Sequence, residues 1–180
     1  MMCGSVAGKL GRSVLLIDHN QKIGRKILIS GGGRCNFTNT GTRPESFVSN
    51  NPHFAKSALS RFTPADFIKL VEKHRIRYHE KKLGQLFCDH SAEQIVDMLI
   101  DECNQADCQF QTDTAVKSIA KNTGDANSGR FTIDTTAGTY SCDSLVIATG
   151  GLSIPQIGAT GFGYEVARQF GLKIVPTAAA

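Results

Sequence analysis

The chain has 180 residues, 41% of them hydrophobic, enough for one core near the usual size of a single domain. Its net charge of +4 suits an anionic small molecule better than the strong basic stripe of a nucleic-acid binder, so nucleic acid is disfavoured as a partner. No apolar run approaches the roughly 18 residues of a membrane span, and six scattered cysteines without a Cys-x-x-Cys pair read as reduced thiols of a cytoplasmic protein.

Residues 1 to 12 read as the end of a helix and a turn, and Ser13-Val-Leu-Leu-Ile17 as a short buried strand closed by Asp18. In the following segment, Gly24 to Asn39, the three adjacent glycines Gly31, Gly32 and Gly33 favour a loop lying close against something. Between Pro52 and His74 the apolar residues fall at helical spacing, and Pro64 after Thr63 is placed to start the second of two short helices. Ser91-Ala-Glu-Gln94 has the form of a capping box, so a helix is expected to run to about Asn104. Alternation in 115–119 and 131–133, split by the polar segment 124–129, predicts strands joined by an exposed turn. Leu145-Val-Ile-Ala148 reads as a buried strand and 163–170 as a helix closed by Gly171. Leu172 to Val175 begins a new extended run, and Ala178 to Ala180 reads as a cut edge.

Three features carry chemistry. A strand ending in an acid is how dinucleotide-binding folds present a carboxylate to a ribose, because two vicinal hydroxyls can donate to its oxygens; Asp18 fits. The usual acid lies about 20 residues beyond a Gly-x-Gly-x-x-Gly turn, and nothing upstream of Asp18 here forms one. The loop Gly24 to Asn39 has the means to hold a pyrophosphate: its glycines allow close backbone approach while Arg25, Lys26 and Arg34 supply positive charge. A tight surface turn with solvated basic residues explains the same composition. Thr149-Gly-Gly151, after the strand 145–148, is a third place where backbone can approach a ligand.

Taken together, the strings VLLIDHNQKIGRKILISGGGRCNFTN, NPHFAKSALSRFT, EKKLGQLFCDHSAEQIVDML and LVIATGGLSIPQIGATGFGYEVARQFGL resemble the YhiN/BaiN-like NAD(P)/FAD-dependent oxidoreductases, the aminoacetone-oxidase-type flavoproteins. The resemblance implies an α/β fold: an incomplete Rossmann-like FAD-binding domain of the two-dinucleotide-binding type with a small β-meander portion. It implies FAD as cofactor, NAD(P)H as a candidate co-substrate, and a small-molecule substrate. It places Asp18 at the adenosine ribose, Arg25 and Lys26 nearby, and Gly32, Gly33, Arg34, Cys35 and Asn36 along the pyrophosphate and flavin. Val116 would lie near the adenine through its backbone, and Thr149 and Gly150 would pack against the cofactor. It further implies that 1–180 is a partial domain, lacking the first strand with its glycine loop, the inserted substrate domain and the closing C-terminal segment. Weak or absent flavin affinity is expected of these residues alone.

Other residues read as structural. Cys35 has no partner cysteine beside it and serves as a small buried residue as well as a redox group. His53, His74, His79 and His90 lack metal-ligand spacing, so no metal and no catalytic acid or base is assigned. The basic stretch Lys73, His74, Arg75, Arg77, His79, Lys81 and Lys82 reads as a solvated face, with RNA or an acidic protein as the rival partner if the chain is a non-catalytic interaction module. The sequence sets no oligomeric state.

Overall fold

A computed structural model describes residues 1–123, 129–152, 154 and 158–177. The chain divides into two compact units, one of residues 1–16 and 23–109, the other of residues 17–22 and 110–180.

In the first unit, helix α1 (Met2–Lys9) is followed by the short strand β1 (Leu15–Ile17), whose last residue belongs to the second unit. The segment expected as a glycine loop is more ordered than that: α2 (Arg25–Ile29), a 3-10 turn (Ser30–Gly32) and strand β2 (Asn36–Asn39). Glycine's freedom is used only locally, and between the 3-10 turn and β2 the irregular stretch contracts to Gly33, Arg34 and Cys35. Helices α3 (Lys56–Arg61) and α4 (Pro64–Lys73) confirm the pair expected there. Thr63 caps α4 as the sequence predicts: its Oγ1 accepts the Asp66 N–H at 3.2 Å while the Asp66 carboxylate accepts the Thr63 N–H at 2.9 Å, with Pro64 at the first helical position.

Strands β3 (Tyr78–Glu80) and β4 (Gln85–Cys88) form a hairpin, and β2 adds to the far side of β4 to give an antiparallel sheet in the order β2-β4-β3. Helix α5 (Glu93–Asn104) has its N-cap at Ala92, not at Ser91. The Gln94 side chain accepts the Ser91 N–H at 3.5 Å, one arm of the expected box, while the Ser91 hydroxyl accepts the Glu93 N–H at 3.1 Å in place of that of Gln94. The core gathers Val71, Ile76, Cys35, Cys88, Ile95, Met98 and Leu99 between helices α4 and α5 and one face of the sheet.

Helix α1 closes on this unit through a glycine. A Cβ added at Gly8 would stand 2.2 Å from the Ala106 carbonyl oxygen and 2.9 Å from the Ala106 Cβ. Alanine raises helix propensity by about 1 kcal/mol over glycine. Here the clash is with backbone, so Gly8→Ala is expected to lower stability by about 1–3 kcal/mol in a urea titration. A variant more stable than the wild type would show that α1 is free to shift.

Strand β1 pairs with β5 (Gln109–Gln111). The bonds from Gln109 N–H to Val14 C=O and from Asp18 N–H to Gln111 C=O advance in the same direction along both strands, the pattern of a parallel pair. β1 is only half-buried, not buried as expected, with Leu15 36% exposed.

The second unit is built on the antiparallel meander β6 (Val116–Lys121), β7 (Phe131–Thr135) and β8 (Gly138–Cys142), in that spatial order. Ile119 faces Ile133 across the β6–β7 pair, and both pack with Val166 of helix α6 (Phe162–Gln169). Gly171, at φ 74°, ends α6: the Leu172 N–H returns to Ala167 C=O and the Gly171 N–H to Arg168 C=O, each at 2.9 Å. Gln169 Nε2 donates to the Ile119 carbonyl at 2.5 Å, tying helix to sheet.

Two expected strands do not form. Residues 145–148 form no strand, and Val146 is 60% exposed. Leu172 to Val175 likewise remains an unpaired segment. An apolar run becomes a strand only when a neighbouring strand takes up its N–H and C=O groups, and no strand among the described residues does so here. The turn expected at 124–129, apart from Gly129, and the end at 178–180 lie outside the described residues. No helix among the described residues is long and apolar enough to cross a membrane.

Candidate functional site

The candidate residues fall in both units: Arg25, Lys26, Gly32, Gly33, Arg34, Cys35 and Asn36 in the first; Asp18, Val116, Thr149 and Gly150 in the second.

In the first unit the glycine turn is anchored from one side. Gly31, Gly32 and Gly33 adopt φ of 58°, 67° and 83°, left-handed values that a residue with a Cβ reaches only under strain. Ser30 C=O accepts the N–H groups of both Gly33 and Cys35 at 3.1 Å, folding the chain back on itself. The Gly33 carbonyl accepts from Ala92 N–H at 2.7 Å and the Arg34 carbonyl from Cys88 N–H at 2.9 Å. Two acceptor oxygens that would repel an anion are thereby turned to the protein. An added Cβ at Gly31 would meet the Phe87 ring at 2.7 Å, whereas at Gly32 and Gly33 it would meet nothing within 4 Å. One face of the turn therefore rests on Phe87 and the other opens outward.

Arg25, Lys26 and Arg34 are exposed around this turn. Arg25 and Lys26 stand in the first turn of α2, whose N-cap is Gly24 at φ 77°. Cys35, at φ 50°, sends its side chain the other way: it is 5% exposed and packs in the helix–sheet core with Cys88. Burial pushes the Cys35 thiol up against a smaller opposing effect of the Ser30 hydrogen bond. Burial, together with Cys35 and Asp89, pushes that of Cys88 to about 11. Neither thiol has the electropositive, accessible setting of a reactive cysteine, so any part Cys35 takes in binding falls to its backbone. The Asn36 amide, with its nitrogen donating, reaches the carbonyls of Thr38 (3.1 Å) and Leu86 (3.2 Å) and so serves the start of β2.

In the second unit Asp18 stands at the end of β1 with its conformation fixed locally. Its Oδ1 accepts the Asn20 N–H at 2.8 Å and the Asn20 side-chain amide at 3.0 Å. Both bonds fall on one oxygen; Oδ2 has no hydrogen-bond partner among the described residues. Sequence reasoning missed what holds this turn from behind. Thr114, 1% exposed, donates its N–H to the Asp18 carbonyl at 3.1 Å and its hydroxyl to Thr112 C=O at 2.9 Å, while Asp113 N–H reaches Asn20 C=O at 3.1 Å. Its only sequence signal was a threonine just before an alternating run. Val116 lies half-buried in β6.

Thr149 and Gly150 line a groove of about 600 Å³ whose walls include Leu145, Ile147, Tyr164 and Phe170. Gly150 is at φ 74° with open space where a Cβ would be. Gly163 brings α6 close, since a Cβ there would stand 3.0 Å from Thr149 Oγ1.

A missed residue of another kind is Glu102 in the first unit. Its carboxylate is 2% exposed and accepts from Lys9 Nζ, from Lys73 Nζ at 2.6 Å and from His74 Nε2 at 2.7 Å, joining α1, the end of α4 and α5. Burial alone would raise its pKa, but the hydrogen bonds from His74, Lys73 and Lys9 outweigh that and bring it down to about 2. Its signal was legible: Ile95, Met98, Leu99 and Glu102 fall on one helical stripe, so a glutamate continues an apolar face. No cluster among the described residues could hold a metal ion.

A strand-end acid, a left-handed glycine turn with basic flanks and a mixed α/β framework with a β-meander define a Rossmann-like dinucleotide-binding fold. More specifically, the chain belongs to the family described as HI0933-like protein Rossmann domain, whose model matches residues 1–179. It is 58% identical over 180 residues to the ribosomal RNA dihydrouridine synthase of Escherichia coli (strain K12), covering 99% of this chain and 44% of that protein. It is 48% identical to the protein of the same name from Haemophilus influenzae (strain ATCC 51907 / DSM 11121 / KW20 / Rd), covering 100% of this chain and 45% of that one. A more distant relative, the 3-dehydro-bile acid delta(4,6)-reductase of Clostridium scindens (strain ATCC 35704 / DSM 5676 / VPI 13733 / 19), is 23% identical over 168 residues, covering 93% of this chain and 40% of that protein. The chain thus spans less than half the length of these relatives. The resemblance read from the sequence holds at the level of the family.

Proposed function

We propose that this chain is the FAD-binding part of a flavin-dependent oxidoreductase that reduces uridine in ribosomal RNA to dihydrouridine, with NAD(P)H as the electron donor. The observation that carries the RNA substrate is the 58% identity, over 99% of this chain, to a protein named for that product. This departs from the composition-based expectation of a small-molecule substrate. The family match and these relatives do not favour the rival reading, a non-catalytic interaction module.

Each unit, taken by itself, carries a feature suited to part of a dinucleotide. The open face at Gly32 and Gly33 lets backbone approach a pyrophosphate, Arg34 adds positive charge there, and the unengaged Oδ2 of Asp18 can accept from a ribose hydroxyl. When bound, FAD would supply a hydride equivalent to the C5–C6 double bond of uracil, and a proton completes the saturated product. The chain's own residues bind and orient: Asn20 and Thr114 hold the Asp18 turn, while Ala92 and Cys88 hold the glycine turn.

The test is to purify the full-length protein carrying this chain and incubate it with NADPH and ribosomal RNA lacking the modification. We expect bound FAD in the visible spectrum and uridine heavier by two hydrogens in mass spectra of the digested RNA. Protein that never holds flavin would overturn the cofactor assignment. Flavin-loaded protein that oxidises NADPH but leaves every uridine unchanged would overturn the substrate.

A further inference from the structure

We infer that the outer face of the β3–β4 hairpin is a binding strip for the phosphate backbone of RNA, set beside the glycine turn. This rests on the ribosomal RNA reading above but concerns residues which that reading leaves unused.

The structure splits the basic stretch of the sequence in two. Lys73 and His74 are engaged by Glu102 and serve the fold. The others are exposed and arranged by strand geometry: Arg77, His79 and Lys81 alternate along β3 and its flanks, so they share one face, while Ile76 and Tyr78 turn to the core. The ladder extends to both ends of this row, with Asp89 N–H donating to Arg77 C=O and Lys81 N–H to Gln85 C=O, each at 3.0 Å. β3 is the edge of its sheet, so nothing in the sheet lies beyond this row.

Two further basic residues bracket the strip. Lys82 follows at the hairpin tip, next to Leu83, which is 84% exposed. Arg75 precedes it at φ 57°, in the left-handed position after α4 where glycine is cheaper. The turn is closed there by Arg75 N–H to Glu72 C=O at 2.8 Å and Ile76 N–H to Val71 C=O at 3.2 Å. An arginine held where glycine would be relaxed points to use of the side chain.

The strip is joined physically to the glycine turn through Phe87. His79 stacks on the Phe87 ring at 6.3 Å and an interplanar angle of 21°, and Lys81 Nζ lies 5.3 Å from its centre. The same ring is what a side chain at Gly31 would strike. Nearby acids are already engaged: Asp89 with His79 at 2.7 Å, Glu80 with Gly84 N–H at 3.0 Å, and Glu72 with the Tyr78 hydroxyl at 2.8 Å. Arg77 and Lys81 on one strand face, with Arg75 and Lys82 at its ends, give a line of positive charge that fits a polyanion running along it, and its continuity with the glycine turn would lead the RNA toward the cofactor.

The experiment measures binding of a fluorescently labelled ribosomal RNA transcript to the FAD-loaded full-length protein across a salt series. Arg77→Glu/Lys81→Glu is expected to weaken binding at least about tenfold at moderate salt, and to flatten the slope of log K against log salt by about 1.5, as loss of two phosphate contacts requires. Lys56→Glu/Lys69→Glu, which changes charge equally on α3 and α4, is expected to stay within about twofold of wild type. Both variants should keep the wild-type flavin spectrum. A strip variant that binds like the control, with unchanged slope, would overturn this inference alone if the wild type still binds RNA and forms dihydrouridine. A wild type with no affinity for the transcript would overturn both this inference and the RNA substrate.

Discussion

Glu102→Ala is expected to destabilise the first unit by about 3 kcal/mol, the lower end of the range for removing one partner of a buried ion pair. The reasoning turns on what the substitution leaves behind. Lys9 and Lys73 are 45% and 56% exposed and can turn to water, whereas the His74 side chain is only 14% exposed and loses its acceptor in place. A stranded histidine and a small cavity, not three stranded charges, set the loss. Glu102→Gln keeps the shape and one acceptor oxygen, and about 2 kcal/mol is expected for it. Urea titration of both variants checks the order, which would be wrong if alanine and glutamine were equally mild.

The same carboxylate sets an acid limb. Its pKa falls from the ordinary 4.5 to about 2 in the folded chain, so the unfolded state binds the proton more tightly. The stabilisation from Glu102 is therefore fully present above about pH 4.5 and is lost as pH drops toward 2. In Glu102→Gln this part of the pH dependence should vanish, and wild type and variant should converge in stability as pH is lowered through that window. Parallel curves from pH 6 to about pH 2 would show that Glu102 is not the group responsible.

Elements that rest on local signals could be read from the sequence. Pro64 behind Thr63 starts α4, the stripe Ile95, Met98 and Leu99 marks α5, and Gly171 stops α6. Each depends on residues within a turn or two of itself. Residues 145–148 failed for the opposite reason: their apolar composition is that of a strand, but a strand is a property of two segments, and Val146 and Ile147 remain exposed without one. The candidate site shows the same division. Asp18 was visible as an acid ending an apolar run, yet Thr114 behind it and Phe87 beneath Gly31 come from residues far along the chain. Residue types also say nothing about direction. Cys35 sits in the glycine segment and turns its thiol into the core, and two members of a basic stretch that reads as one charged face, Lys73 and His74, turn instead to Glu102.

The cofactor assignment is exposed most sharply at Gly33, where shape and charge can be separated. Gly33 is at φ 83°, ψ 6°, and an added Cβ meets nothing within 4 Å. Asparagine and aspartate both tolerate this left-handed conformation better than other residues, so Gly33→Asn and Gly33→Asp should each fold with losses near 1 kcal/mol. Gly31 offers no such clean comparison, because its Cβ would strike Phe87 and come 2.9 Å from the Asn36 nitrogen. If the turn holds the pyrophosphate of FAD, Gly33→Asn should weaken binding by about tenfold through lost backbone approach. The isosteric Gly33→Asp should then weaken it by roughly a further hundredfold, because a carboxylate about 6 Å from a phosphate at an effective dielectric near 20 adds some 3 kcal/mol of repulsion. Equilibrium dialysis of FAD against the full-length variants, read by visible absorbance, gives both numbers. Raising salt should narrow the gap between Asp and Asn while leaving that between Asn and glycine in place. If aspartate and asparagine bind FAD equally well, no phosphate lies near this turn, and the open face at Gly32 and Gly33 serves something other than the cofactor.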